Sequence, residues 1–288
     1  MTSQNKGLHT SLKKRVNHFT RPFKPTKQGF TDTQINHIRL EAYRIREWLT
    51  LFEGCFSRVA QAETHKVLAR LLPQLEEFRN ANAACELLTD LVKAEKNLRH
   101  ESKAKVILKE FESIRDIIGR KAGKQLKQIK PRKLSQLLQN DFKPNGLAMP
   151  ASLIKYLNQK RETLFNQLVL IIRTAKQEDL AELLLQMQVF CYLLELSVDS
   201  GFQKGRRLLQ TLRVLQERLA KVCDEEFLRQ CLQDMEKERA RVTDKISDIQ
   251  QLRLIRIRLG IQQARTLKLF HDQLPPVLQG LKRHLSWS

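Results

Sequence analysis

Arginine side chains recur along one helix-patterned segment near the start of the chain, residues 36–52. Residues at i, i+3 and i+10 lie along one side of a helix, so Asn36, Arg39 and Arg46 are predicted to project together, with Arg44 one step around the helix. Like charges along one helix face repel each other, by roughly a few tenths of a kcal/mol per pair. We therefore interpret this segment as a site that holds an anion, and its alternative is a solvated basic face.

The overall charge of the chain favours the first interpretation. The 288 residues include 52 Lys and Arg against 31 Asp and Glu, a formal net charge of +21. A net charge so far from zero costs self-repulsion in the folded state and favours a polyanionic partner. The candidate partners are nucleic acid, an anionic membrane surface and a phosphate polymer.

Three further clusters of cations could extend such a surface. Residues 115–133 hold eight Lys and Arg against one acid, Asp116. Residues 204–213 and 248–272 hold the other two clusters. Each cluster alone is equally well explained by a solvated helix face, whereas the three together with segment 36–52 favour one polyanion-binding surface.

Motifs for catalysis are absent from the sequence. It contains no P-loop, no G-x-G-x-x-G or G-x-S-x-G motif and no pair of histidines at helical spacing. We expect a protein that is not an enzyme and that uses no metal and no cofactor.

The elements that position these residues are predicted to be helices throughout. Glycine and proline are scarce, at 10 and 8 residues, and apolar residues from Asp32 onward recur at 3.6-residue spacing. We expect an all-α fold of long amphipathic helices, with Pro275-Pro276 separating the last two. The predicted helices are 31–54, 62–97, 101–128, 132–140, 151–175, 177–198, 203–232, 235–271 and 275–286.

Two stretches are predicted to divide the chain. Residues 1–30 carry seven Lys and Arg and no acid, which is typical of a disordered basic arm. Residues 141–150 contain two prolines and a glycine and are expected to be a linker between a first helical bundle, 31–140, and a second, 151–288 with closing C-terminal helices. Segments 75–88 and 219–232 align at an offset of 144, which suggests a duplication.

The cellular location is predicted from the cysteines and the apolar runs. Five cysteines with no C-x-x-C pair are typical of buried thiols in a reducing compartment. The run 183–196 is interrupted by Gln186, Gln188 and Glu195, so we expect no membrane span. A helix that is apolar almost all round is expected to lie in the core. We expect a soluble cytoplasmic protein, and an organellar presequence at the N-terminus is the alternative.

The order of these segments resembles the CHAD domain, the conserved histidine α-helical domain. Arg39 and Arg46 lie in a helix similar to the family's H-x-x-R-x-x-x-(K/R)-x-x-R, and residues 75–82 are similar to its L-G-x-x-R-D-x-D turn. Residues 192–196, Tyr-Leu-Leu-Glu-Leu, are similar to its second-half Y-x-L-E-L, and Asp224 lies where its second half has N-D. The resemblance covers most of residues 31–235.

What the resemblance implies is non-catalytic binding of inorganic polyphosphate along a basic groove or surface between two duplicated bundles. Departures from the family pattern include Asn36 at the first histidine position and Leu184, Gln188 and Cys191 where the second half has basic residues. We therefore expect the first half to contribute more of the binding. The residues predicted to bind polyphosphate are Arg39, Arg44, Arg46, Arg79, Arg120, Lys121, Lys124, Lys127, Arg206, Arg207, Arg213 and Arg256.

Two other functions stay open from the sequence. One is an RNA- or DNA-binding helical protein, which the low aromatic content of 6% disfavours, because single-strand binders commonly stack bases on aromatic rings. The other is a basic scaffold that docks an acidic protein partner.

Overall fold

Helices form nearly all of the part of the chain that the computed structural model describes, namely residues 3–26, 29–95, 98–143, 149–174, 179–199, 205–242 and 246–282. No β-strand occurs within these ranges, so the predicted all-α class is confirmed. The helices are α1 Ser3–Thr20, α2 Asp32–Leu51, α3 Arg58–Lys93, α4 Leu98–Gln128, α5 Pro131–Asn140, α6 Met149–Thr174, α7 Leu180–Asp199, α8 Arg206–Val242 and α9 Ile246–Lys282.

Helix α2, which carries the arginines of segment 36–52, begins with a capping box. The Thr31 hydroxyl accepts a hydrogen bond from the Gln34 backbone N–H at 3.2 Å, and the Gln34 side chain accepts one from the Thr31 N–H at 2.9 Å. This reciprocal pair satisfies two of the free N–H groups at a helix start. The capping box thus fixes where α2 begins and, with it, where the α2 arginines lie along the helix.

The N-terminal arm is the main correction to the predicted organisation. Residues 3–20 form helix α1, and its Leu12, Val16 and Phe19 side chains are at most 1% exposed. These three residues follow i, i+4 and i+7 spacing, which gives a highly basic helix a narrow apolar stripe. The composition of residues 1–30 is typical of a disordered segment because the stripe is short and most of the remaining positions are polar. Residues 1–2 and 27–28 lie outside the described residues.

The prolines near the C-terminus do not interrupt a helix. Pro275 and Pro276 lie inside α9, and the break predicted near residue 233 is instead between α8 and α9, after Val242. Both prolines are exposed, while Leu274, Val277 and Leu281 around them are buried at 1% exposure. Burial of this apolar face compensates the lost backbone hydrogen bonds, so the helix continues through a pair of residues that should end it.

The described helices group into two compact units, and this grouping differs from the predicted split at 141–150. Unit 1 comprises residues 1–76, 121–216 and 274–288, and unit 2 comprises residues 77–120 and 217–273. Each predicted half contributes to both units, because α3, α4, α8 and α9 are 31 to 37 residues long. A proline- and glycine-rich stretch stops a helix, but it does not determine which helices share a core. Residues 144–148 of the predicted linker lie outside the described residues.

Unit 1 is built around α7. Helix α1 packs against α2, α5 and α7, and α7 also packs against α2 and α6. The centroids of the Trp48 and Phe142 rings lie 5.7 Å apart, and those of Phe56 and Phe142 lie 5.1 Å apart, so the segment after α5 folds back onto the end of α2. This packing holds the arginine-bearing helix against the apolar helix that the sequence placed in the core.

Helix α7 is buried over most of its length, as its all-round apolar pattern predicted. By length and composition it is also long and apolar enough to cross a membrane, although its interrupting polar residues predicted no span, and 61% of that window is buried inside the protein. A core helix of a globular unit satisfies the same two criteria. The packing of α7 in unit 1 therefore accounts for its composition.

Unit 2 has its own hydrophobic core, formed by the remaining parts of α3, α4, α8 and α9. Leu88, Ile107, Leu228 and Leu252 are among its most buried members, at 0–2% exposure. At Gly119 in α4, an added Cβ would lie 3.0 Å from the Phe78 ring, so α3 and α4 approach closely at this point. The 3.6-residue spacing predicted apolar stripes on these helices, but it did not predict which helices pack together in one core.

Candidate functional site

The predicted arginine row on α2 is not an open cationic surface. Arg39 is 7% exposed, and its Nη1 lies 2.7 Å from Glu76 Oε1. Its Nε and Nη2 donate to Asn36 Oδ1 at 3.2 and 3.1 Å. Asn36, at the position of the family's histidine, thus holds the guanidinium toward a carboxylate of α3.

Arg44 lies between two carboxylates of unit 1. Its Nη1 is 2.7 Å from Glu41 Oε1, and its Nε is 3.0 Å from Glu195 Oε2 on α7. Its guanidinium carbon also lies 5.1 Å from the centroid of the Tyr192 ring. Burial disfavours the charged guanidinium, but Glu195 and Glu41 outweigh burial, so the pKa of Arg44 is raised.

Glu195 is the centre of a larger ion-pair network. Arg213 Nη2 lies 2.7 Å from its Oε1, and Arg15 Nη2 of helix α1 lies 3.4 Å from its Oε2. Arg15 also pairs with Asp199 at 3.1 Å and with Glu41 at 3.6 Å. We call Arg15, Arg44, Arg213, Glu41, Glu195 and Asp199 the Glu195 network.

The Glu195 network balances three guanidiniums against three carboxylates. Burial alone would raise the pKa of Glu195, but the three arginines outweigh burial and lower it. Glu195 is therefore ionised at neutral pH, and the network carries no excess positive charge. Arg15 is not among the predicted site residues, because residues 1–30 were predicted to be disordered and no motif in the sequence marks it.

Arg46 is also engaged within unit 1. Its Nη2 lies 3.3 Å from Glu47 Oε1, and its guanidinium carbon lies 4.8 Å from the centroid of the Tyr43 ring. Burial raises the pKa of the Tyr43 phenol, and the Glu76 carboxylate raises it further. The α2 arginines thus combine with acids and aromatic rings of their own unit.

Two other predicted binding residues form ion pairs within unit 2. Arg79 Nη2 donates to Asp224 Oδ2 at 2.9 Å, and Arg256 Nη2 lies 3.3 Å from Glu236 Oε2. Asp224 occupies the position that resembles the family's second-half acid. The two motif positions found in the sequence, residues 79 and 224, therefore contact each other.

The remaining predicted residues are all exposed, and they make no ion pair with another described residue. These residues are Arg120, Lys121, Lys124, Lys127, Arg206 and Arg207. Of the twelve predicted residues, the structure thus places six in ion pairs and six on the surface.

One run of exposed cations in unit 1 stands out from the other clusters. Residues 121–133 contain six cations and no acid, and all six are exposed. None of them forms an ion pair with a described residue. The six residues are Lys121, Lys124, Lys127, Lys130, Arg132 and Lys133, which we call the 121–133 surface.

The helix dipole of α5 makes part of the 121–133 surface electrostatically unfavourable when no anion is bound. Lys127 is in the last turn of α4, where a cation complements the negative end of the helix dipole. Lys130, Arg132 and Lys133 are at the N-cap and in the first turn of α5, which contains no acid. Cations at a helix N-terminus oppose its dipole, so these three positions are better suited to an added anion than to the protein alone.

Comparison with known proteins finds a matching family and a solved structure with a similar fold. The model of the family described as CHAD domain matches residues 10–233. A crystal structure of the CHAD domain from the plant Ricinus communis is similar with a TM-score of 0.71 and 14% identity, over 96% of this chain and 92% of that chain. At that identity the structural likeness shows the fold alone. Comparison with curated proteins finds no significant match.

Proposed function

The chain belongs to the CHAD domain family, and from that premise we propose that it binds inorganic polyphosphate without catalysing a reaction. The observation that carries the proposal is the 121–133 surface, where six exposed cations form no ion pair with a described carboxylate. A flexible linear polyanion can contact such a row along its length. No base-stacking group is required for this contact.

Charge balance favours the 121–133 surface over the α2 arginines. Within the Glu195 network, a polyanion would have to displace Glu41, Glu195 and Asp199 from arginines that they already contact. On the 121–133 surface it would displace only water and counterions. We therefore propose that the Glu195 network holds the fold together and that the lysine-rich surface binds the polymer.

The spacing of the lysines supports a polymeric ligand. Lys121, Lys124 and Lys127 follow one another at about one turn of α4, roughly 4.5 Å of rise per step. Lys130, Arg132 and Lys133 continue the charge into the first turn of α5. Successive charges of a linear chain can thus meet successive cations, which predicts an affinity that increases with polymer length.

Binding to graded lengths of polyphosphate at several salt concentrations tests the proposal. For single-stranded polyanions log K falls with log salt by about 0.7 per neutralised charge, so six contacts predict a slope of about −4. Affinity should increase with chain length until the six cations are occupied. Equal affinity for all lengths would contradict the proposal.

A competition experiment separates the proposal from its two alternatives. Polyphosphate should displace bound RNA or DNA of matched charge more readily than the reverse. Preference for nucleic acid would instead support the nucleic-acid-binding alternative. Preference for an acidic polypeptide over polyphosphate would support the scaffold alternative.

A further inference from the structure

A cavity of about 180 Å³ lies in unit 1 beside the 121–133 surface, between α3, the end of α4, and α5. One face of α3 lines it, with Val67 and Leu71 one turn apart. Ile129, between α4 and α5, and Leu134 of α5 contribute further apolar side chains. An apolar cavity of about 150 Å³ holds one benzene molecule, so this one accommodates an apolar body of about six carbon atoms.

The rim of the cavity is cationic. Arg70, Lys130 and Lys133 line it together with a single acid, Glu63. Arg70 Nη2 donates to Gln128 Oε1 at 3.2 Å, which positions its guanidinium next to the end of α4. Three cations and one carboxylate give the rim a net charge of +2, and Lys130 is the N-cap residue of α5.

The combination of an apolar interior and a doubly positive rim specifies a ligand class. We propose that this cavity binds a small amphipathic phosphate monoester, with its apolar body between Val67 and Leu134 and its phosphate among Arg70, Lys130 and Lys133. A phosphate monoester carries close to two negative charges at neutral pH, which matches the charge of the rim. Inorganic polyphosphate has no apolar body, so this site differs in chemistry from the surface proposed above, although Lys130 and Lys133 belong to both.

Calorimetric titration with a series of n-alkyl phosphates, from ethyl to octyl, tests the proposal on the full chain. Each methylene that enters the cavity should tighten binding about fourfold, and the gain should stop at about six carbons. Inorganic phosphate and hexanol should each bind much more weakly than hexyl phosphate. Affinity that does not depend on the alkyl chain would overturn the proposal.

Two variants locate the ligand. Val67→Phe fills the cavity and should abolish hexyl phosphate binding, while polyphosphate affinity stays unchanged because Val67 is not on the 121–133 surface. Lys133→Gln should weaken hexyl phosphate at least threefold. Lys66→Gln, which removes an exposed lysine of α3 that does not line the cavity, is the matched control and should have no effect. Wild-type hexyl phosphate affinity in both Val67→Phe, once shown to be folded, and Lys133→Gln would contradict the proposal.

Discussion

Arg44 of α2 and Glu195 of α7 are 151 positions apart in the sequence, yet Arg44 Nε lies 3.0 Å from Glu195 Oε2. Glu195 belongs to the segment that resembles the family's second-half motif, and Arg44 belongs to the helix that resembles the first-half motif. The contact joins the two recognisable parts of the sequence through an ion pair. It assigns these residues a structural role that their charge alone did not indicate.

The first prediction concerns Glu195. Glu195→Gln leaves Arg15, Arg44 and Arg213 without their shared carboxylate, and breaking a buried ion pair typically costs about 3–5 kcal/mol. Urea unfolding at neutral pH should show a loss of stability of that order. Glu182→Gln, at an exposed position of the same helix, is the matched control and should be close to neutral. Equal stability of the two variants would show that the network contributes little.

The pKa of Glu195 also predicts a pH dependence. Because the folded-state pKa is lowered, the unfolded state binds the proton first as the pH falls. The stabilisation by Glu195 is therefore present above its unfolded pKa, about 4.3, and is lost as pH falls through the folded value. Unfolding free energies from pH 7 to pH 3 should decrease less in Glu195→Gln than in the wild type. A parallel decrease in both proteins would contradict this assignment.

Glu225 of unit 2 should show the opposite behaviour. It is 0% exposed, its Oε1 accepts from Gln262 at 2.9 Å and from Thr266 at 3.1 Å, and its Oε2 has no hydrogen-bond partner among the described residues. Burial is the main cause of its raised pKa. The folded state therefore retains the proton longer than the unfolded state, and stability falls as pH rises from the unfolded pKa through the folded one.

Replacing this carboxyl group with an amide removes the cost of ionisation. Glu225→Gln should raise the melting temperature at pH 8 relative to wild type, with a smaller difference at pH 4. Glu226→Gln is an informative control, because Glu226 pairs with Arg229 at 2.6 Å and its pKa is lowered despite burial. That variant should be less stable at neutral pH. A destabilised Glu225→Gln at pH 8 would contradict the interpretation of Glu225.

Helix α1 should be required for the stability of unit 1. Phe19 is 0% exposed, so Phe19→Ala should cost about 3–5 kcal/mol. Lys13→Ala on the same helix removes an exposed side chain and should stay within about 0.5 kcal/mol of wild type. Thermal unfolding of both variants checks the prediction, and an unchanged Phe19→Ala would mean that residues 3–20 are not part of the core.

The α2 arginines should affect stability more than binding. Arg39→Ala combined with Arg46→Ala removes the pairs with Glu76 and Glu47, so the melting temperature should fall. A double-mutant cycle of Arg39 and Glu76 should give a coupling of about 0.5–3 kcal/mol, as for other residues in contact. Polyphosphate affinity at a temperature where all variants are folded should stay within about threefold, since a surface contact elsewhere carries the binding. A large loss of affinity with unchanged stability would restore the original interpretation of these arginines as the site.

Much of the helical structure could be predicted from the sequence, because helical spacing of apolar residues is local information. Helix α5, predicted at 132–140, is observed at Pro131–Asn140, and α7, predicted at 177–198, is observed at Leu180–Asp199. Its burial followed from an apolar pattern all around the helix. The errors arose where tertiary packing overrides local signals, as at Pro275-Pro276.

The site could be predicted less well, for a related reason. Residue type and spacing identified Arg39, Arg44 and Arg213 as candidate anion-binding cations, but their counter-ions Glu76 and Glu195 belong to other helices. Whether a guanidinium faces solvent or a carboxylate depends on which helices pack together. The 121–133 cluster could be recognised directly, because a sequence with no nearby acid leaves fewer partners for its lysines.

The most direct test of the account is the polyphosphate affinity of the triple variant Lys121→Gln, Lys124→Gln and Lys127→Gln. Its matched control is Lys109→Gln, Lys155→Gln and Lys268→Gln, which removes three exposed lysines outside the 121–133 surface. At physiological salt the first variant should lose at least about tenfold in affinity, and its slope of log K against log salt should fall by about 2, while the control stays near wild type. Equal losses in the two triple variants would contradict the account, because they would show that the polymer responds only to net charge.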